Sequence, residues 1–176
     1  MKRVVNLGFL VLMACIVVGL DQWTKALVRA NLALGQRWNP IQGLRPFINL
    51  TYWTNTGMAF GQFKGGGQAL TIVAFVVTGI IIWYYWQLPS GQWLVRLALG
   101  MQLGGAIGNL IDRLRFGTVT DFIEVTHFPV FNLADASISV GVAVLALVLW
   151  LEGRAKHPAA AEREAASPPA PTPVRE

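Results

Sequence analysis

Four long apolar runs organise the chain, at residues 4–20, 68–86, 93–110 and 135–151. Each approaches the roughly 20 residues that a helix needs to cross a hydrocarbon core. An isolated span in hydrocarbon can satisfy its backbone only as a helix, so four transmembrane helices are predicted. The first run is expected to continue as helix through Asp21, Lys25 and Arg29, and the second carries no ionisable side chain except tyrosine. Trp83, Tyr84, Tyr85, Trp86 and Trp93 flank the turn Pro89-Ser90-Gly91, which predicts an aromatic belt at one membrane face. An even number of spans puts both termini on one side. Basic residues sit both at the termini (Lys2, Arg3, Arg154, Lys156, Arg163) and in the first loop (Lys25, Arg29, Arg37, Arg45, Lys64), so charge bias alone leaves that side open.

Between the first two runs the period changes. Residues 47–53 alternate, with Ile48, Leu50 and Tyr52 on one face and Asn49 and Thr51 on the other, and Asn55-Thr56-Gly57 then forms a turn. A second strand is predicted at 119–125. The pattern gives an integral membrane, mainly α protein: four transmembrane helices with a small extramembrane β-sheet cradle, built from the first long loop and neighbouring segments. Residues 1–155 are expected to form one domain and the Ala/Pro/Glu-rich 156–176 a disordered tail. Gly65-Gly66-Gly67 reads as a flexible connector, without the Lys-Ser/Thr continuation of a phosphate-binding loop. Gly100, Gly104 and Gly108 recur every four residues, a spacing that lets membrane helices approach closely.

Composition agrees with this layout. Of 176 residues 54% are hydrophobic and 13% charged, against about 25% charged in soluble domains. The net charge of +5 is scattered beside apolar segments, which suits anionic lipid headgroups better than nucleic acid. One cysteine, Cys15, allows no intrachain disulfide, and two histidines, His127 and His157, exclude a zinc protease of the HExxH type. Leu12-Met13-Ala14-Cys15 resembles a lipid-modification box, but the apolar run continues past it and three further spans follow, so a retained first span is expected. None of Ser90, Ser137, Ser139 and Ser167 lies in a GxSxG motif. Ser137 and Ser139 suit hydrogen bonds within span four or to a neighbouring helix.

The nine acidic residues carry the chemical information. Glu152, Glu162, Glu164 and Glu176 lie in or beside the tail, whereas Asp21, Asp112, Asp121, Glu124 and Asp135 lie near span ends that share one membrane face if the spans bundle. Ionisable groups beside a bilayer are costly enough to suggest function. Asp121 is embedded in the apolar Val119-Thr120-Asp121-Phe122-Ile123, and Asp135 opens span four. Two converging carboxylates can share a proton, one serving as general base on water and the other as general acid. Asp135 can equally well cap the helix, and Asp121 can protect a sheet edge. Asn109, Asp112 and Arg113 share a helical face, with Arg113 free to meet a lipid headgroup, a substrate carbonyl or Asp112; Asp21 and Lys25 form an i,i+4 ion pair. A small carrier places its polar groups nearer the bilayer midplane, and a noncatalytic scaffold leaves the asparagine–aspartate blocks unexplained.

Five segments in order resemble the signature blocks of the signal peptidase II family. They are Asp21-Gln22-Trp23-Thr24-Lys25, Asn55-Thr56-Gly57-Met58-Ala59-Phe60, the stretch from Gly104-Gly105 through Asn109-Leu110-Ile111-Asp112-Arg113, Val119-Thr120-Asp121-Phe122-Ile123 and Phe131-Asn132-Leu133-Ala134-Asp135. The resemblance implies an aspartic endopeptidase of the bacterial cytoplasmic (inner) membrane. Such an enzyme removes signal peptides from diacylglyceryl-modified prolipoproteins, cleaving before the lipidated cysteine. It implies catalytic Asp121 and Asp135, with Asn55, Gly57, Gly108, Asn109, Arg113, Asn132 and Ala134 binding substrate or supporting the pair. Asp21, Lys25 and Asp112 are implied to be structural or accessory. It further implies cytoplasmic termini, a site near the outer face and inhibition by globomycin; a monomeric chain with no metal or other cofactor is expected.

Overall fold

The computed structural model describes residues 2–57, 66–89 and 91–165. In chain order the elements are α1 (Lys2–Asn31), β1 (Arg37–Trp38), β2 (Ile48–Asn55), α2 (Gly66–Gln87), α3 (Trp93–Phe116), β3 (Val119–Val125) and α4 (Leu133–Ala165). All four helices contain stretches long and apolar enough to span a membrane: Leu7–Asn31, Gly67–Gln87, Trp93–Phe116 and Leu133–Arg154.

Helix α3 is the centre of the bundle. It packs against α1, α2 and α4, and 67% of its most apolar window is buried, against 22%, 11% and 17% for the other three. Those three turn most of their apolar surface outward, as helices facing lipid do. Attraction between such helices comes from close packing rather than from exclusion of water, and the α3 glycines permit it. A methyl group added at Gly104 would lie 2.6 Å from Val17 Cβ, so α1 and α3 touch there backbone to side chain. Gly100 faces Met13 of α1 in the same way. Away from the sheet, Leu10 and Ala14 of α1, Ile81 and Tyr85 of α2, and Val95, Leu99 and Leu103 of α3 form one buried cluster.

Several element boundaries and environments differ from the sequence expectation. Gly66 and Gly67 belong to α2 rather than to a connector, and Gly65 lies outside the described residues. Tyr85 leaves the aromatic belt: it is 4% exposed and its ring lies under the Arg96 guanidinium at 4.8 Å. Trp83, Trp86 and Trp93 are exposed as a belt requires. Helix α4 continues to Ala165, into the segment read as tail, while 166–176 lie outside the described residues.

The three strands form an antiparallel sheet in the order β1-β2-β3. Gly117, at φ 73°, ends α3 in the left-handed conformation and turns the chain into β3. Leu50 pairs with Ile123 and Trp53 with Asp121, so β2 carries one extra residue between these pairs. This bulge breaks the expected alternation. Thr51 becomes the buried residue of β2, while Ile48 and Trp53 remain exposed. Bulges bend a strand and re-aim its side chains, and this one lies directly beside Asp121.

Candidate active site

Strand β3 and the start of α4 bring Asp121 and Asp135 to the same place, at the end of the bundle that carries the sheet. Asn132 joins them. Its side-chain nitrogen donates to Asp121 Oδ1 at 2.7 Å, and its backbone N–H donates to Asp135 Oδ2 at 3.2 Å. In return the Asp135 N–H donates to Asn132 Oδ1 at 3.0 Å. Asn132 therefore caps α4 and Asp135 is the third residue of its first turn, a reciprocal capping box. Helix capping and a place in the carboxylate pair are thus compatible for Asp135. Its second oxygen, Oδ1, accepts from Asn109 Nδ2 at 2.7 Å.

Asp121 is 1% exposed. Burial pushes its carboxyl up to about 6 and the neighbouring Asp135 charge pushes the same way, whereas hydrogen bonds from Asn55 and Asn132 and the charge of Lys25 oppose the shift. Asn55 pairs with Val119 in the sheet, which places it diagonally across from Asp121 on one face. Its Nδ2 donates to Asp121 Oδ2 at 2.9 Å, while its Oδ1 accepts from the Gly57 N–H at 2.8 Å. Gly57 adopts φ 86° to make that turn, a conformation open to glycine and strained for other residues.

Beneath the pair lies a buried polar layer. Asp21, Lys25 and Asp112 are all fully buried. Lys25 Nζ lies 2.8 Å from Asp21 Oδ2, 2.9 Å from Asn109 Oδ1 and 3.8 Å from Asp112 Oδ2. Asp21 Oδ1 accepts the Ala134 N–H at 3.0 Å, so α1 supplies a carboxylate to the N-terminus of α4. Gly108 makes room for it, since a Cβ there would lie 2.6 Å from Asp21 Oδ2. Asp112 accepts the Thr120 N–H at 2.9 Å and so holds β3 one residue before Asp121.

Arg113 is half-buried and interacts electrostatically with Asp135, Asp121 and Asp112. Its guanidinium has no hydrogen-bond or ion-pair partner among the described residues. Asp112, one of the three contacts open to Arg113 in the sequence, is instead engaged by Lys25, Arg29 and Gln22.

All the site residues picked from the sequence belong to this assembly. Met58, Ala59 and Phe60 of the second signature block lie outside the described residues. Sequence reasoning assigned no role to Gln22, Arg29 and Thr120. Gln22 Nε2 reaches Asp21, the Gly108 carbonyl and Asp112, and Arg29 Nη1 donates to Thr120 Oγ1 at 2.8 Å. Gln22 stands inside a signature block and Arg29 continues the i,i+4 series from Asp21 and Lys25, so both carried a weak signal. Among the described residues no group of three or more His, Cys, Asp or Glu side chains is arranged to hold a metal ion.

The model of the family described as Signal peptidase (SPase) II matches residues 13–151. The lipoprotein signal peptidase of Moorella thermoacetica is 44% identical over 140 residues, covering 80% of this chain and 91% of that protein. The lipoprotein signal peptidase of Halothermothrix orenii is 40% identical over 135 residues, covering 77% and 90%. Two bacterial membrane enzymes solved by the in meso method superpose with TM-scores of 0.74 and 0.75 at 29% and 26% identity. The first match covers 81% of this chain and 92% of that one, and the second 96% and 95%. With its four spans, its small sheet and the match over most of its length, the chain belongs to the signal peptidase II family.

Proposed function

We propose that this chain is a membrane-embedded aspartic endopeptidase that removes signal peptides from diacylglyceryl-modified bacterial prolipoproteins, with Asp121 and Asp135 as its catalytic pair. The observation that carries the assignment is the single residue, Asn132, hydrogen-bonded to both carboxylates.

Asp121, buried and raised to about 6, is the member that keeps its proton up to about pH 6. Asp135, less buried and accepting from Asn109 and Asn132, takes a proton from the attacking water. As the water oxygen bonds to the scissile carbon, Asp121 protonates the carbonyl oxygen. The tetrahedral intermediate then collapses: Asp135 gives its proton to the leaving amine of the lipidated cysteine, the C–N bond breaks, and Asp121 recovers its proton from the hydroxyl. Arg113 is placed to hold the substrate carbonyl. The acyl chains of the modified cysteine stay in the bilayer, so substrate reaches a site at the helix ends by lateral diffusion. By family likeness the termini are cytoplasmic, the site lies near the outer face and globomycin blocks it; the chain works as a monomer.

The test is cleavage of a diacylglyceryl-modified prolipoprotein by wild type, Asp121→Asn and Asp135→Asn, with the unmodified precursor alongside. Cleavage by wild type alone, confined to the lipidated substrate, is expected. Full activity in either folded variant removes that residue from the mechanism.

A further inference from the structure

A carboxamide is nearly symmetric in shape, so its neighbours determine whether oxygen or nitrogen faces a given direction. Asn109 stands between Lys25 and Asp135, and those two neighbours impose opposite demands. An ammonium has only hydrogens to offer, so it requires an oxygen opposite it. A carboxylate requires a donor. The observed arrangement meets both, with Lys25 Nζ 2.9 Å from Asn109 Oδ1 and Asn109 Nδ2 2.7 Å from Asp135 Oδ1. We propose that Lys25 is a positioning residue for peptide cleavage, fixing the Asn109 carboxamide so that its NH2 group faces Asp135.

Lys25 is itself tightly placed. Its ammonium is fully buried and lies among Asp21 of its own helix and Asn109 and Asp112 of α3. Asp21 is held in turn by the Ala134 N–H and Gln22, and Asp112 by the Thr120 N–H and Arg29. The Asn132 amide also donates to Asn109 Oδ1, at 3.1 Å, but it divides its hydrogens between Asn109 and Asp121. That bond is neutral, whereas the bond from Lys25 is charge-assisted and stronger. Without Lys25, Asn109 keeps only the weaker restraint, and turning it over sets its carbonyl against the Asp135 carboxylate. The charge of Lys25 also reaches Asp121, where it opposes the effects of burial and of Asp135.

The inference rests on Asp121 and Asp135 being the catalytic pair, and one readout is chosen to be independent of catalysis. In wild type carrying 15N-asparagine, the Asn109 side-chain amide is expected to show one proton shifted strongly downfield by the Asp135 carboxylate. The test variant is Lys25→Met combined with Asp21→Asn. It removes one charge of each sign and leaves an oxygen at position 21 for the Ala134 N–H. It is expected to melt near wild type and lose the downfield signal. Its kcat should fall about tenfold or more, with little change in KM, as for loss of a hydrogen bond to a charged group.

The alkaline limb of the rate should also move to higher pH. The groups facing Asp121 are Lys25 from α1, Asn55 from β2, Arg113 from α3, and Asn132 and Asp135 at the start of α4; only Lys25 is lost. A double variant with wild-type kcat and an unchanged Asn109 signal overturns the proposal, as does a wild-type amide without the downfield shift. An active Asp121→Asn would instead sink the catalytic pair and leave the amide readout standing.

Discussion

Asn132 reaches Asp121 from the cap position of α4, 2.7 Å from amide nitrogen to carboxylate oxygen, so one side chain both starts a helix and steadies a buried acid. The two roles separate by substitution. Asn132→Ala removes the cap and the donor to Asp121 together, at a cost of about 1–2 kcal/mol from the cap alone. Asn132→Ser keeps a capping oxygen but is too short to reach Asp121. The serine variant should melt closer to wild type than the alanine variant while remaining comparably slow in cleavage, as thermal melts and initial rates in detergent will read.

The acidity of Asp121 predicts a pH-dependent stability. Its carboxyl is raised from 3.8 to about 6, so the folded chain keeps this proton between about pH 4 and 6, where the unfolded chain has released it. Stability contributed by this group is full below pH 4, falls as pH rises through that window, and is flat above it. The displacement corresponds to about 3 kcal/mol. Asp121→Asn abolishes the penalty but leaves one of the Asn55 and Asn132 donors without its acceptor, an opposing loss of about 1 kcal/mol. The variant should therefore melt higher than wild type at pH 8 and show no such gain at pH 4. Wild-type cleavage, with Asp121 as proton donor, should decline as pH rises through about 6. A variant no more stable at pH 8 would mean that burial does not strain this acid.

At Gly108 the close approach of α1 and α3 can be tested directly. An added methyl group meets Asp21 Oδ2 at 2.6 Å and Asp21 Cγ at 3.1 Å, and Asp21 cannot retreat while it holds Lys25 and the Ala134 N–H. Overpacking of this kind costs about 1–3 kcal/mol. Gly108→Ala should lower the melting temperature and slow cleavage together, because the displaced carboxylate disturbs the start of α4. Gly8→Ala, with nothing within 4 Å of the added atom, is the control and should do neither.

These dependencies mark the limit of what the sequence made legible. Hydropathy was sufficient for the four spans because membrane crossing demands length and apolarity whatever the neighbours are. It missed the ends of α3 and α4, where the helices continue through polar residues such as Asp112 and Arg113 that no hydropathy window counts as span. The period-2 pattern located β2, but the bulge beside Trp53 reversed its burial, so that Thr51 lies inward and Trp53 outward. Asp121 and Asp135 were recognisable as acids in apolar surroundings. Their link through Asn132 and Asn109 was not, because it depends on α3, β3 and α4 meeting, and a capping box built on Asn132 is evident only once the start of α4 is placed. Arg29 and Thr120 were hidden for the same reason, being 91 residues apart in the chain.

Arg113 offers the sharpest contrast between structural and chemical roles. It lies on the α3 face that carries Asn109 and Asp112 and interacts electrostatically with both catalytic candidates, and its guanidinium donates no hydrogen bond to any described residue. A guanidinium with unused donors beside two carboxylates is suited to a substrate carbonyl whose oxygen gains charge during attack. Removing one donor of that kind typically costs about 10²–10³ in kcat. Arg113→Gln should lose activity on that scale and change the melting temperature little, since no described partner is left behind. Asp112→Asn should do the reverse in emphasis: it weakens the attraction to Lys25 and Arg29 and should melt well below wild type. If Arg113→Gln unfolds as readily as Asp112→Asn, the guanidinium holds the bundle together and the substrate carbonyl must find its donor elsewhere.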